Sequence, residues 1–275
     1  MGILVALGVI IVVAGLTGAA LAAPTLARLW RRQRIARRPF PAAWRDIVRR
    51  RVPLARELPA AQQLRLKKHI QVLLAEVPFI GCAGLVVSDE MRVTIAAQAA
   101  FLLLGRGGSF GNLREVLVYP GHFVVPRSEV GAGGVVHEAR DVLAGQSWQR
   151  GQVIVAWDAV RDGAADPHDG ANVVMHEFAH QLDQDTGAAN GAPYVGRGAL
   201  QQAWARVMNQ EFVALRDRLA RAEPSLIEPY AATSPAEFFA VATELFFEQP
   251  QELAAERPEL YEQLKRCYRL DPASW

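Results

Sequence analysis

Two histidines separated by three residues carry the strongest chemical signal in this sequence. His176 and His180 enclose Glu177 in a His-Glu-x-x-His pattern. Residues four apart on a helix lie on the same face, so both imidazole rings can bind one metal ion. Glu177 then lies beside the open side of that ion, where it can take a proton from an attacking water. The pattern predicts a hydrolase that holds one Zn²⁺ ion per chain.

A catalytic zinc needs a third protein ligand, and the sequence offers several. Asp183 follows the second histidine by one turn, so we expect it to hydrogen-bond a histidine ring rather than the metal. A later apolar helix carries Glu237 and Glu244, which are seven residues apart and therefore lie on one face. Ser234 precedes Glu237 by three residues, which is typical of a helix-capping box. These residues alone leave the choice between Glu237 and Glu244 open.

The elements that must position these groups follow a mixed pattern. Helical spacing of apolar residues predicts helices at 59–76 and 88–104, and helices resume at 198–221, 235–248 and 258–268. A further helix carrying the histidines is expected to start at Asp169-Gly170. Short β-branched runs predict strands at 116–119, 121–125 and 152–157, and we expect the last to pair with an extended substrate. The predicted fold class is α+β, a zincin-like metallopeptidase domain with a small β-sheet beside the active-site helix.

An apolar segment precedes this domain. Residues 2–23 carry no charge, and roughly 20 apolar residues suffice for a helix to cross the ~30 Å hydrocarbon core. Arginines follow at once, and the positive-inside rule keeps them cytoplasmic. The sequence thus predicts an N-terminal transmembrane anchor (1–27), a basic juxtamembrane linker (28–39) and a peptidase domain (40–275) on the cytoplasmic side of a bacterial inner membrane. A signal peptide cleaved after Ala20-Leu21-Ala22 is the main alternative, although no positive charge precedes the apolar run. The other alternative is a cytoplasmic protein without a transmembrane span.

Composition excludes several classes of protein. The 275 residues are 51% hydrophobic, which is too apolar for a disordered chain. The formal net charge is +2, and the basic residues concentrate at 28–51 instead of spreading over the domain, so direct nucleic-acid binding is not expected. Cys82 and Cys267 lie far apart and favour free thiols over a structural zinc site.

Two longer runs resemble the Mlc titration factor family of bacterial zinc peptidases, whose catalytic core is similar to that of anthrax lethal factor. They are His-Glu-Phe-Ala-His-Gln-Leu-Asp at 176–183 and Tyr-Ala-Ala-Thr-Ser-Pro-Ala-Glu-Phe-Phe-Ala-Val at 230–241. The resemblance covers roughly 38–275. It implies a gluzincin-type, aminopeptidase-like enzyme with His176, His180 and Glu237 as metal ligands. Tyr230 precedes Glu237 by seven residues, as in the family, and would donate a hydrogen bond to the oxyanion.

The resemblance also implies a regulatory partner, because some family members bind the repressor protein Mlc. The predicted function is zinc-dependent hydrolysis of peptides or proteins, with Glu177 as general base. A non-catalytic, metal-containing interaction protein that titrates a regulator is the first alternative, and the intact Glu177 argues against it. A membrane-embedded endopeptidase is the second, and it would require metal ligands within a spanning helix.

Overall fold

The structure is a computed structural model that describes residue 17 and residues 22–121, 123–130, 136–143, 145–148, 151–187 and 189–275. The chain divides into two units, Met1–Pro39 and Phe40–Trp275. In the first unit residues 22–36 are helical, so most of the segment expected as a linker is helix. Arginine and alanine are good helix formers, and no glycine or proline interrupts residues 25–38.

The predicted membrane span at residues 2–23 lies outside the described residues, apart from residues 17, 22 and 23. Within the part of the chain that is described, no helix has both the length and the apolar character needed to cross a membrane.

The unit Phe40–Trp275 is dominated by helices. They are α1 (Ala42–Arg51), α2 (Ala60–Glu76), α3 (Asp89–Phe101), α4 (Trp157–Ala165), α5 (Val173–Asp183), α6 (Ala199–Ala220), α7 (Pro235–Glu248), α8 (Pro250–Glu256) and α9 (Pro258–Tyr268). The five helices that were predicted with residue ranges are confirmed. Each observed end lies within three residues of the predicted one. The helix with the histidines starts later than predicted, because Asn172 is its N-cap and its side chain accepts a hydrogen bond from the Met175 N–H.

Strands form two separate sheets. They are β1 (Phe79–Gly81), β2 (Glu115–Tyr119), β3 (Phe123–Val130), β4 (Val136–Leu143), β5 (Gly145–Trp148) and β6 (Gln152–Ala156). The main sheet has the order β1-β2-β6-β5, in which the first three strands are parallel and β5 runs antiparallel to β6. β3 and β4 form an antiparallel hairpin of their own.

The predicted pairing of strand 152–157 with a substrate is wrong. β6 lies inside the sheet and has β2 on one side and β5 on the other, so its backbone hydrogen bonds are already used. Trp157 is also the first residue of α4 and not the end of a strand. Alternating and apolar runs identify strands but do not give their order in a sheet.

The core lies where α5 and α7 pack against each other, with the sheet and α3 also in contact with α5. Both helices are buried along most of their length. Gly191 allows a close approach beside them, because a Cβ on it would lie 2.3 Å from the Pro235 carbonyl oxygen at the start of α7. Its φ of +76° also suits glycine. The loop after α5 can therefore lie directly against α7.

Aromatic packing holds the far end of α7 in place. The Phe246 ring is fully buried, with ring-centroid distances of 5.2 Å to Phe247, 5.3 Å to Tyr261 and 5.4 Å to Tyr268. We expect Phe246→Ala to lower the free energy of unfolding by about 3–5 kcal/mol, because it leaves a cavity between α7 and α9. Chemical denaturation measures this change. Leu64→Ala is the control at an exposed apolar side chain, and it should cost less than about 0.5 kcal/mol; equal effects would contradict the prediction.

Candidate metal centre

The two histidines of α5 lie side by side, with His180 in the last turn of the helix. Their ring centroids are 5.0 Å apart, as expected for residues one turn apart on the same face. Their side chains are largely shielded from solvent, with exposed fractions of 12% for His176 and 10% for His180. Both Nε2 atoms point toward the first turn of α7.

Glu237 meets them from that turn. Its Oε2 atom lies 2.8 Å from His176 Nε2 and 3.4 Å from His180 Nε2. The three groups together offer ligand atoms within 4.8 Å of one another, and they form the potential metal-binding cluster found among the described residues. Ser234 caps α7 by accepting a hydrogen bond from the Glu237 N–H, so the Glu237 backbone serves the cap while its carboxylate faces the histidines.

Glu244 lies on the other side of His176. Its Oε1 atom is 2.7 Å from His176 Nδ1, and its Oε2 atom accepts a hydrogen bond of 2.5 Å from the Asn172 N–H. A carboxylate on Nδ1 fixes the ring so that Nε2 faces Glu237, which is the usual support of a metal-binding histidine. The structure therefore brings Glu237 into the cluster and puts Glu244 behind it.

A further acid supports this arrangement. Glu248 Oε1 accepts a hydrogen bond of 2.8 Å from the Asn172 side chain, whose Nδ2 also donates to the Gly163 carbonyl. Burial raises the pKa of Glu248 to about 9. We did not predict roles for Asn172 and Glu248 from the sequence. The sequence does carry a signal for Glu248. Glu237, Glu244 and Glu248 follow one another at intervals of seven and four residues, which places them along one face of a helix.

Burial and opposite charge compete in this cluster. Burial alone lowers the pKa of His176, but its hydrogen bonds to Glu237 and Glu244 outweigh burial and raise the pKa well above the usual value. Burial likewise raises the pKa of Glu237, but the two histidines outweigh it and hold the pKa well below its usual range. The site thus favours positively charged histidine rings next to negatively charged carboxylates. A divalent cation meets the same preference and competes with the proton for the histidine nitrogens.

Glu177 lies beside the cluster and is buried. Burial raises the pKa of its carboxyl to about 7, against the lowering effect of His176 and His180. Its Oε2 atom has no hydrogen-bond partner among the described residues. Buried polar atoms without partners are rare, and one beside a potential metal site suits a group that acts on a bound water or substrate. The donor set and this carboxylate therefore fit a catalytic metal ion.

Tyr230 lies on the exposed side of the site. It belongs to a short 3₁₀ helix, Pro229–Ala232, and its side chain is 52% exposed. Its ring centroid is 6.1 Å from that of His176. The phenol is thus near the histidines and accessible to a substrate.

The predicted hydrogen bond between Asp183 and a histidine ring is wrong. The Asp183 carboxylate accepts hydrogen bonds from the N–H groups of Gly191 (2.7 Å) and Ala192 (2.8 Å). His180 Nδ1 has no partner among the described residues. Asp183 instead fixes the loop after α5, which the spacing of residues along a helix could not reveal.

Comparison with known proteins agrees with this geometry. The family model of the glucose-regulated metallo-peptidase M90 matches residues 27–269. The chain belongs to this family. Mlc titration factor A of Yersinia pestis is 31% identical over 235 residues, which cover 84% of this chain and 85% of the relative. Mlc titration factor A of Yersinia pseudotuberculosis matches equally well. The resemblance to the Mlc titration factor family is thereby confirmed.

An uncharacterised protein of Synechocystis, slr2042, is more similar in sequence. It is 42% identical over 245 residues, which cover 88% of this chain and 89% of the relative. Family membership identifies the chain as a metallopeptidase of this kind, and the His-His-Glu cluster fits a metal ion.

Proposed function

We propose that this protein is a zinc-dependent, aminopeptidase-like peptidase that uses Glu177 as general base. The observation that carries the proposal is the meeting of α5 and α7, where His176, His180 and Glu237 bring their ligand atoms within 4.8 Å of one another. Two imidazoles and a carboxylate are a ligand set used by catalytic zinc, which keeps a further position open. Membership of a metallopeptidase family supports the proposal.

Each residue has a distinct task in the proposed mechanism. His176, His180 and Glu237 would hold the metal, and a bound Zn²⁺ would supply Lewis acidity to a water and to the substrate carbonyl. The Glu177 carboxylate takes a proton from the attacking water and then gives it to the leaving amine. A pKa of about 7 suits both the acceptance and the release of that proton.

Tyr230 would act on the substrate oxygen. Its phenol donates a hydrogen bond to the carbonyl oxygen as negative charge develops there, a contact that strengthens in the transition state. The exposed position of Tyr230 beside His176 supports this role.

Strand β5 is the proposed partner of the substrate backbone. It is an edge of the main sheet, it pairs with β6 on one side, and it lies alongside α5. Among the described strands only β6 pairs with β5, and an extended peptide would add to the opposite edge of β5 by backbone hydrogen bonds. This assignment replaces the internal strand that the sequence suggested.

Hydrolysis of two substrate types tests the proposed activity. Purified full-length protein loaded with zinc should release chromophore from aminoacyl chromogenic substrates, and it should cleave longer peptides with blocked N-termini much more slowly. Removal of the metal by a chelator should abolish activity, and added Zn²⁺ should restore it. Cleavage of blocked peptides alone would overturn the aminopeptidase assignment. No hydrolysis of either type by the zinc-loaded protein would overturn the peptidase.

The second candidate function is capture of a regulator. The curated Yersinia relatives are named Mlc titration factor A, which supports a transcriptional repressor of the Mlc type as a partner of this chain. A purely titrating protein would bind the repressor and hydrolyse nothing. A binding assay with such a repressor, made with wild-type protein and with Glu177→Gln, separates the two roles because only hydrolysis requires the carboxylate.

We propose, from the sequence, that residues 2–23 anchor the protein as a single-pass span in a bacterial inner membrane. Full-length protein should then sediment with membranes and resist washing with salt and carbonate, whereas a chain starting at Phe40 should remain in the supernatant. The arginines at 28–38 alone would give only salt-sensitive attachment, so the wash distinguishes the two. Release of the full-length protein by salt would contradict the span.

Protease added to the outside of intact cells tests the orientation. It should leave the unit Phe40–Trp275 untouched, since the arginines keep it on the cytoplasmic side. Digestion of that unit from outside would contradict the orientation, and a mature N-terminus near Ala23 would establish the signal-peptide alternative.

A further inference from the structure

A second cavity lies at the end of α5, on the side of the 105–111 loop. Its volume is about 370 Å³, within the range of small-molecule sites. Arginines dominate its polar lining, with Arg106, Arg266 and Arg269 present and Asp185 as the acid. None of the metal-site residues lines it. The cavity therefore needs an explanation apart from peptide hydrolysis.

Arg106 is held in place by backbone groups instead of carboxylates. Its Nη1 donates to the Cys267 carbonyl at 2.9 Å, and its Nη2 donates to the Tyr194 carbonyl at 3.3 Å. These contacts fix the orientation of the guanidinium without neutralising it. Asp185 is the acid that offsets part of its charge. A fixed guanidinium whose charge is only partly compensated is preorganised for an anion.

Arg266 and Arg269 add positive charge at the end of α9. Both are exposed, and neither side chain makes an ion pair or hydrogen bond with another described residue. Three arginines against one aspartate leave the cavity with an excess of two positive charges. Like charges repel, and an anion bound among these arginines would relieve that repulsion.

A glycine-rich loop forms one side of the cavity. Residues 105–111 read Gly-Arg-Gly-Gly-Ser-Phe-Gly, and Gly107 and Ser109 line the cavity with Arg106. Gly107 and Gly108 have φ values of +68° and +75°, and no atom would lie within 4 Å of a Cβ at either position. Backbone conformation, and not crowding, thus requires glycine here. The Gly107 N–H donates to the Leu103 carbonyl oxygen at 2.8 Å, so this backbone group fixes the loop and is not offered to a ligand.

The rim of the cavity is apolar. Tyr194 is 53% exposed and Leu200 is 50% exposed, and both line the cavity. An aromatic ring at the rim of an arginine cluster can contact the non-polar part of a ligand whose anionic end binds the guanidinium groups. A bare inorganic ion would leave this surface unused.

We propose that this cavity binds a small organic phosphate, with the phosphate group on Arg106, Arg266 and Arg269, and with the apolar part of the ligand on Tyr194. Arginine suits phosphate because its planar fork donates two parallel hydrogen bonds. Leu182 and Asp185 also line the cavity, at and just beyond the end of the helix that carries the histidines. The site is independent of the proposed peptidase activity and can be tested without it.

Phenyl phosphate and inorganic phosphate are suitable probes. Isothermal titration of full-length protein at about 0.15 M salt, where long-range charge effects are screened, should show saturable binding of one phenyl phosphate per chain. Inorganic phosphate should bind more weakly, because it lacks the ring. The double variant Arg266→Gln/Arg269→Gln should weaken phenyl phosphate binding by at least about tenfold, since it removes two charged donors. Both residues are exposed, so the fold should be unaffected.

Arg45→Gln/Arg65→Gln is the matched control. It removes the same charge from exposed positions on α1 and α2 that do not line the cavity, and it should leave binding unchanged. An equal loss in this control would show that net charge alone attracts the ligand, and it would overturn the proposal. Absence of saturable binding to wild type, or full binding to the Arg266→Gln/Arg269→Gln variant, would overturn it as well.

Discussion

Glu177→Gln should remove nearly all hydrolysis while the protein remains folded and keeps its metal. A positioned general base contributes about 10²–10⁴-fold to such a reaction, so we expect kcat to fall by that factor. Glutamine has the same shape but cannot accept the proton of the attacking water. The proposed metal ligands His176, His180 and Glu237 are unchanged, so the zinc content should stay at one ion per chain.

The Glu177→Gln variant should also fold normally, because glutamine has the same shape as the buried glutamate that it replaces. The Glu177 carboxyl is buried, and burial raises its pKa because it disfavours the charged form, so a neutral glutamine introduces no burial penalty there. Kinetics with an aminoacyl chromogenic substrate, atomic absorption for zinc and circular dichroism measure the three properties. Glu252→Gln makes the same chemical change at an exposed position of α8 and should leave all three unaltered. Turnover of Glu177→Gln at the wild-type rate would refute the mechanism.

The local part of the site could be predicted from the sequence. His176, Glu177 and His180 lie within one helix, and the period of an α-helix alone brings both histidines to one face. Ser234 was likewise expected to cap α7, and it does so. These features depend on contacts between residues three or four apart, where sequence spacing and spatial position are tightly linked.

The long-range part could not be derived in this way. His176 and Glu237 are 61 residues apart, and His176 and Glu244 are 68 apart, so helical period alone could not distinguish the two acids. Family resemblance implied Glu237, and the structure brings that residue to both histidines. Glu248 and Asn172, which are 76 residues apart, were missed for the same reason.

The sheet shows a second limit of sequence reasoning. β2 and β6 are β-branched runs and were recognised, whereas β5 reads Gly-Gln-Ser-Trp and carries no strand signal. Its strand character comes from its hydrogen bonds with β6. The sequence therefore placed the proposed substrate-pairing edge on β6, which lies inside the sheet, because strand order is a property of the folded sheet.

Glu237→Ala should lower zinc affinity far more than Glu244→Ala. A structural zinc site with four ligands binds with about 10–16 kcal/mol, which is roughly 2.5–4 kcal/mol per ligand, or about 10²–10³-fold in affinity. Glu237 meets the Nε2 atoms of both histidines, so its loss should have an effect of this size. Glu244 instead supports a ligand, because its carboxylate hydrogen-bonds His176 Nδ1. Residues of this kind typically contribute about 10–100-fold to metal affinity or activity.

Glu244→Ala should instead reduce stability and activity. It leaves His176 Nδ1 and the Asn172 N–H without their acceptor, and both are at the start of α5. Glu244→Gln is the informative companion, because its amide oxygen can still accept from one of these donors and should restore part of the loss. Zinc affinity measured by competition with a chromogenic chelator, alongside thermal unfolding of the metal-free proteins, separates the two residues. If Glu244→Ala lost the metal and Glu237→Ala kept it, Glu244 would be the ligand and Glu237 would serve only the start of α7.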